Sequence, residues 1–367
     1  MERVKDRNSN LELLRIVLMF LVVMHHCVFA SGVEGTYDFT NNFANSYILQ
    51  CCGAWGKAAI NAYVLITGFF MCKSNITIKK VLKLILEIKF YEISIFVVFA
   101  VLGLQSVSII AIAKLLFSIS ININHSFVGT FVVFYLFIPF YNKLIVAMDK
   151  KEFLRLLFLL IGVFTCVGTF LSNFEVFTHL GWYTVLYFIA AYIRFYPSCW
   201  SENKRANMLV FFGSVLMTYL SIFALDYMKN KVGININPYY LVMNSHKLLA
   251  LTASVSMFLW FKNLKLEHSN IINTIASATF GVLLIHTYSG KMSELLWNRL
   301  FDVCSIITQS PLYIVGYVFT ASVSVFVICM LIDFARIVLI ESRLLKICLP
   351  IAERGWGFLT RIENKIV

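Results

Sequence analysis

The sequence predicts an all-α membrane bundle of about ten transmembrane helices with both termini in the cytoplasm, and three observations support this. The first is composition. Of 367 residues 60% are hydrophobic and only 14% charged, with mean hydropathy +0.81, where a water-soluble domain carries about 25% charge. Too little polar material remains to cover a globular surface, which excludes a soluble enzyme, a nucleic-acid binder and a disordered chain. The second is continuity: the apolar runs are unbroken rather than alternating, and in lipid only helices or closed barrels satisfy every backbone group. The third is the alternation of basic residues from loop to loop.

Taken in order, each run is bracketed by loops that place it. Arg3, Lys5 and Arg7 precede the first, Leu11 to Ala30; the second, Trp55 to Met71, is followed by Lys73, Lys79, Lys80 and Lys83. Leu84 to Leu104 and Phe127 to Leu144 come next, with Lys143, Lys150, Lys151 and Arg155 after them. Leu154 to Leu171 and Gly181 to Phe195 lead to Arg194, Lys204 and Arg205, and Met208 to Leu225 and Leu248 to Phe261 lead to Lys262 and Lys265. Ile275 to Tyr288 and Pro311 to Leu331 complete the ten, before a tail with Arg336, Arg343, Lys346, Arg354, Arg361 and Lys365. Loops on this side carry 22 Lys and Arg against 6 on the other, so the net charge of +12 reads as topology. The first run is a full-length span without a cleavage pattern, so no signal peptide is expected. Five prolines and 17 glycines imply mostly unbroken spans. One membrane domain over 1–340 and a basic cytoplasmic tail over 341–367 follow. Membrane lipid is the surrounding partner, the plasma membrane the expected location, and nucleic acid is not expected.

Ionisable residues inside spans are costly and are functional candidates by default. Arg15 lies about one turn inside the first span and His26 eleven residues further on. Eleven residues turn a helix to within about 20° of three full turns, so both face one way, about 16 Å apart along the axis. His25 points roughly 80° to 100° aside. Read alone, Arg15 fits a side chain snorkelling to lipid phosphates and His26 a packing residue. Lys57 and Asn61 share a face at the start of the second span, suited to interfacial anchoring or to lining a cavity. Lys89 and Glu92 suit an ion pair within the third span. The nine cysteines have no C-x-x-C spacing and read as structural thiols, with no metal site expected.

These residues carry a resemblance. Asn10-Leu11-Glu12-Leu13-Leu14-Arg15, followed by an apolar stretch and His25-His26, resembles the first helix of the membrane acyltransferase-3 family, whose signature is Arg, ten residues, His. Arg15 and His26 match that spacing and His25 does not. Val64 to Phe70 is similar to the family's second-helix Ser-Gly-Tyr/Phe motif, with Thr67 in place of serine. Phe134 to Lys143 resembles its "LYLLxPxLNK" stretch and Phe280 to His286 its "FGIYLIH". The family's basic R-x-x-R pair, associated with the acyl-CoA donor, appears here as Lys80 and Lys83; lysine keeps the charge and loses the bidentate fork.

The resemblance implies transfer of an acyl group, usually acetyl, from cytoplasmic acyl-CoA to a hydroxyl of an extracytoplasmic or lipid-linked glycan. Capsule-type polysaccharides are the acceptor class. On that reading Arg15, Lys80 and Lys83 meet the polyanionic donor, and His26 as a neutral imidazole takes the hydroxyl proton as it attacks the thioester. Relay through a covalent acyl-protein intermediate is the other mechanism. His286, Asn61 and His125 are candidate contacts to the acceptor. Acyl-CoA is a substrate, and no permanently bound cofactor is implied. The competing class is a glycan flippase, polymerase or exporter. Against it stand the absence of an internal repeat and of arginine in the outer loops near 31–54 and 105–126.

Overall fold

A computed structural model describes residues 8–121, 123, 126–171, 176–233 and 236–366, with side chains up to Trp356. Among the described residues the chain is helical and contains no strand. In order the helices are α1 (Ser9–Phe29), α2 (Phe43–Gly53), α3 (Gly56–Met71), α4 (Ile78–Val101), α5 (Ile109–Leu116), α6 (Ser118–Ile121) and α7 (Phe127–Ala147). They continue as α8 (Lys150–Ile161), α9 (Gly168–Phe170), α10 (His179–Phe195), α11 (Lys204–Tyr227), α12 (Leu248–Lys262), α13 (Asn270–Ser277) and α14 (Thr279–His286). The last three are α15 (Gly290–Ser293), α16 (Pro311–Arg336) and α17 (Ser342–Ile366).

The starts of these helices are written in local chemistry. Asn8, Thr77, Ser126, Thr178, Asn203 and Ser269 each accept a backbone N–H of the first turn they precede, which satisfies a donor the helix cannot. Asp149 and Glu152 form a reciprocal capping box on α8. Ser310 caps α16 and Pro311 occupies its first position, where a missing N–H costs nothing.

Each of the ten apolar runs is helical, but length and apolarity separate them. Among the described residues five helices are long and apolar enough to cross a membrane: Ser9–Phe29, Phe127–Ala147, Lys150–Phe170, Lys204–Val232 and Pro311–Trp356. A sixth candidate is the pair Asn270–His286 and Gly290–Leu300, bent by 99°. Helices α3, α10 and α12 have 16, 17 and 15 residues, at or below the usual minimum of about 17. Helix α4 carries Lys79, Lys80, Lys83, Glu87, Lys89 and Glu92. The expectation of mostly unbroken spans meets an exception in the ninth run, which breaks at Ala278 and turns sharply after His286, whereas α7 runs on through Pro139 without a break. The last apolar run continues helically through Ile337–Glu341 into α17.

Helices α1, α3, α10 and α12 form the centre of the bundle. Leu14 and Leu18 of α1, Ala62 and Leu65 of α3, Tyr187 and Leu186 of α10 and Phe258 of α12 are all fully buried in one core. The approach of α3 to α10 depends on Gly68, where a Cβ would stand 2.9 Å from the Cβ of Ala190. On the periphery Leu209, Phe212 and Leu216 of α11 and Val315 and Phe319 of α16 are exposed, an outward apolar face that suits lipid rather than water.

Candidate active site

The site is built on α1, at its end remote from Arg15. Neighbouring histidines there take opposite roles because successive residues project about 100° apart. His25 is buried, and its Nδ1 lies 2.6 Å from the carbonyl oxygen of Gly53, so it fastens α1 to the end of α2. Gly56 begins α3 beside it; a Cβ there would run into the His25 ring, so α3 reaches this level of α1 only without a side chain.

His26 turns the other way and meets His286 of α14, with Nδ1 of His26 2.9 Å from Nε2 of His286. The hydrogen positions follow from the partners. Nδ1 of His286 lies 2.6 Å from the carbonyl oxygen of Val282, and a carbonyl only accepts, so this nitrogen carries the proton. In a neutral ring Nε2 of His286 is then the acceptor, His26 donates to it through Nδ1, and Nε2 of His26 keeps its lone pair. That nitrogen has no bonding partner among the described residues.

His26 lines a central cavity of about 300 Å³ together with Lys57, Tyr91, Glu92, Ser126, Thr287 and Tyr288. A second cavity of about 340 Å³ lies toward the end of α1 that carries Arg15 and collects Arg15, Lys80, Lys83, Tyr63 and Thr67. Phe127 belongs to the walls of both. A third and larger cavity, about 820 Å³, shares Glu92 and Tyr288 with the central one and is lined by Ser106, Ser108, Lys114, Ser118 and Lys291. The three form a series: a basic chamber, a chamber holding an imidazole nitrogen with a free lone pair, and a hydroxyl-rich chamber.

The charges of the basic chamber are only partly engaged. Arg15 lies 3.7 Å from Glu12, and its Nε is buried without a hydrogen bond. Lys80 donates to Ser74 Oγ and to the Asn75 carbonyl, both at 2.9 Å, and Lys83 pairs with Glu341 at 2.8 Å. Of the remaining sequence candidates, His286 stands behind His26 and is fully buried rather than open to the cavity. Asn61 does not line these three cavities: it is fully buried, donates to the Ser245 carbonyl at 2.6 Å and accepts from Trp182 Nε1 at 2.9 Å. His125 lies outside the described residues. Lys89 pairs with Glu92 at 2.8 Å and also donates to Ser118.

The sequence pattern counts Arg336 as a basic residue of the tail and gives Asp333 no role, and the structure buries both. Arg336 is buried and meets Glu87 at 3.0 Å, Asp333 at 2.6 Å and Glu341 at 3.2 Å, while Tyr91 donates to Asp333 at 2.8 Å. The available signal was an acid and a base three residues apart at the end of the last apolar run, one turn of helix. Gly281 of the "FGVLLIH" stretch faces this cluster, since a Cβ there would collide with the Asp333 carboxylate. Asn142 of the Pro139 motif joins three helices, donating to the Met71 carbonyl at 3.0 Å and accepting from Tyr187 at 2.6 Å.

No curated protein and no solved structure matches the chain. The family model described as the acyltransferase domain matches residues 8–332, a stretch that contains α1 to α15, all but the last turn of α16 and every residue that lines the three cavities. This all-helical membrane chain belongs to the acyltransferase-3 family.

Proposed function

We propose that the protein transfers an acyl group, acetyl in the first instance, from acyl-CoA to a hydroxyl of a cell-surface or lipid-linked polysaccharide of the capsule or exopolysaccharide type. The observation that carries this is the free Nε2 of His26, held in one tautomer by His286, in a chamber that shares walls with a basic cavity on one side and a hydroxyl-rich one on the other. The phosphates of the donor sit at Arg15, Lys80 and Lys83, and the thioester arm extends toward His26 over the roughly 16 Å between the two α1 residues. The acceptor enters from the chamber of Ser106, Ser108 and Ser118.

The chemistry then balances with this chain's own groups. The acceptor hydroxyl attacks the thioester carbon, a C–O bond forms, the carbonyl π pair moves to oxygen, and Nε2 of His26 takes the hydroxyl proton. Collapse of the tetrahedral species breaks the C–S bond, and the leaving thiolate takes the proton back from His26. His286 is a positioning residue here: its acceptor nitrogen keeps the His26 proton on Nδ1, so that Nε2 stays a base.

This reading is completed by a topology of ten crossings in the plasma membrane with both termini cytoplasmic, supported by the 22 to 6 division of basic residues. The shorter helices α3, α10 and α12 cross as members of the central core rather than against lipid. Reporter fusions at Ser201 and Gly35 should lie inside and outside respectively; the same side for both overturns the topology. The functional test supplies radiolabelled acetyl-CoA to membranes from cells with and without the gene and follows base-labile label into polysaccharide. Label appearing only with the gene supports acyl transfer. Failure to acylate, with polysaccharide crossing the membrane instead, turns the reading to a flippase, polymerase or exporter.

A further inference from the structure

The central cavity contains a second reactive group that the mechanism above does not use. Lys57 lies in the first turn of α3 and lines the same cavity as His26. Among the described residues no hydrogen bond, ion pair or ring contact engages its ammonium, whereas Lys89, Lys247 and Arg336 are occupied. Lys89 donates to Glu92, Ser118 and the Leu115 carbonyl; Lys247 donates to the Gly168 carbonyl and lies over Tyr240; Arg336 meets three carboxylates.

Lys57 is doubly disfavoured where it stands. An uncompensated cation inside an apolar bundle is costly, and the first turn of a helix, with its unbonded N–H groups, repels positive charge. Trp55 supplies no side-chain cap to this end of α3, so the helix adds positive potential to that of the ammonium. The position is fixed tightly, because Gly56, the preceding residue, is the one that lets α3 approach α1 against the ring of His25. The carboxylate that lines this cavity, Glu92, is paired with Lys89, so the Lys57 cation beside the His26 base is placed for a negative charge that appears only during the reaction.

We propose that Lys57 is a catalytic residue that stabilises the oxyanion of the tetrahedral intermediate, an inference that rests on the acyl-transfer reading. When the acceptor oxygen bonds to the thioester carbon, the carbonyl π pair becomes a full negative charge on oxygen. Lys57 donates a hydrogen bond to that oxygen without giving up its proton, and the hydroxyl proton goes to His26. On collapse the pair returns to the carbonyl, the C–S bond breaks, and Lys57 is released unchanged. The ground-state thioester carries no such charge, so the contact is worth more in the transition state and raises kcat rather than donor affinity.

The test uses the full-length protein in native-type membranes at matched insertion, with radiolabelled acetyl-CoA as donor and the polysaccharide of those membranes as acceptor. Lys57→Met should lower kcat roughly 10²- to 10³-fold, the usual effect of losing an oxyanion donor, with KM for acetyl-CoA changed less than about twofold. Lys57→Gln is run beside it, so that loss of folding in one variant leaves the other to be read, and should lose at least about tenfold. Lys57→Arg should recover most of the loss, because the cation is kept. A kcat within about threefold of wild type in Lys57→Met or Lys57→Gln overturns the inference and leaves Lys57 as an interfacial anchor. A rise confined to the acceptor's KM also overturns it, in favour of contact with an anionic acceptor. A wild-type protein that transfers no label is a different result, because it removes the acyl-transfer reading itself.

Discussion

Two polar clusters lie buried in this apolar bundle, and they differ in what they leave over. Around Arg336 the groups are tied by ion pairs: its guanidinium meets Glu87, Asp333 and Glu341, lies 5.8 Å over the Tyr91 ring, and the Tyr91 hydroxyl bonds Asp333 as well, while Asp333 Oδ2 is buried without a hydrogen bond. Around His26 one nitrogen is committed to His286 and the other faces a cavity. Both clusters satisfy the rule that ionisable groups within spans are candidates for function. Charge pairing and access separate them: the ion-paired cluster fastens α4 to α16, and the nitrogen left open in the other can accept a proton. They also touch. Tyr91 joins the ionic cluster and lines the central cavity, and Gly281 seats α14 on Asp333, so the fastening sets where α14 presents His286.

The largest effect expected is at His26. His26→Ala should cost about 10²- to 10⁴-fold in acyl transfer, the range for loss of a general base, with the folded protein recovered in normal amount by size exclusion. Wild-type transfer by this variant would remove the base from the proposal and erase the contrast between the clusters. The ionic cluster should respond in the opposite quantity. Arg336→Met strands two buried carboxylates and should destabilise by about 3–5 kcal/mol, read as a lower melting temperature in detergent, while Arg336→Met combined with Glu87→Gln and Asp333→Asn should recover much of it. A single variant as stable as wild type would mean that the cluster fastens nothing.

Smaller effects sharpen the comparison. Gly281→Ala forces a methyl into the Asp333 carboxylate and should cost about 1–3 kcal/mol as overpacking, lowering melting temperature and transfer together if α14 positions His286. Lys80→Ala with Lys83→Ala should raise KM for acetyl-CoA about tenfold, equivalent to about 1.4 kcal/mol, and Arg15→Ala should move KM the same way; an unchanged donor response would place the phosphates elsewhere. His25→Ala should be the mildest, losing about 1 kcal/mol with the bond to Gly53 and keeping most of the transfer rate per folded molecule. If His25 proves essential and His26 dispensable, the assignment of the two neighbours is reversed.

What the sequence determined by itself was local or statistical. Continuous apolar runs dictated helices because lipid leaves the backbone no other open form; the orientation that the loop charges favour is for the reporter fusions to decide. The register of Arg15, His25 and His26 was legible because 3.6 residues per turn is a property of one helix, whatever surrounds it. The Lys89–Glu92 pair was legible for the same reason.

Tertiary structure decided everything that joins residues far apart in the chain. The tautomer of His26 depends on His286, 260 residues away, and on the Val282 carbonyl behind it. Asn61 and Lys57 share a helical face, but packing gave the first to Trp182 and Ser245 and left the second in the His26 cavity. Glu87 had no visible partner until α16 brought Arg336 beside α4. Periodicity tells which way a side chain points along its own helix; only the packing of one helix on another supplies the donor, acceptor or empty space that it meets there.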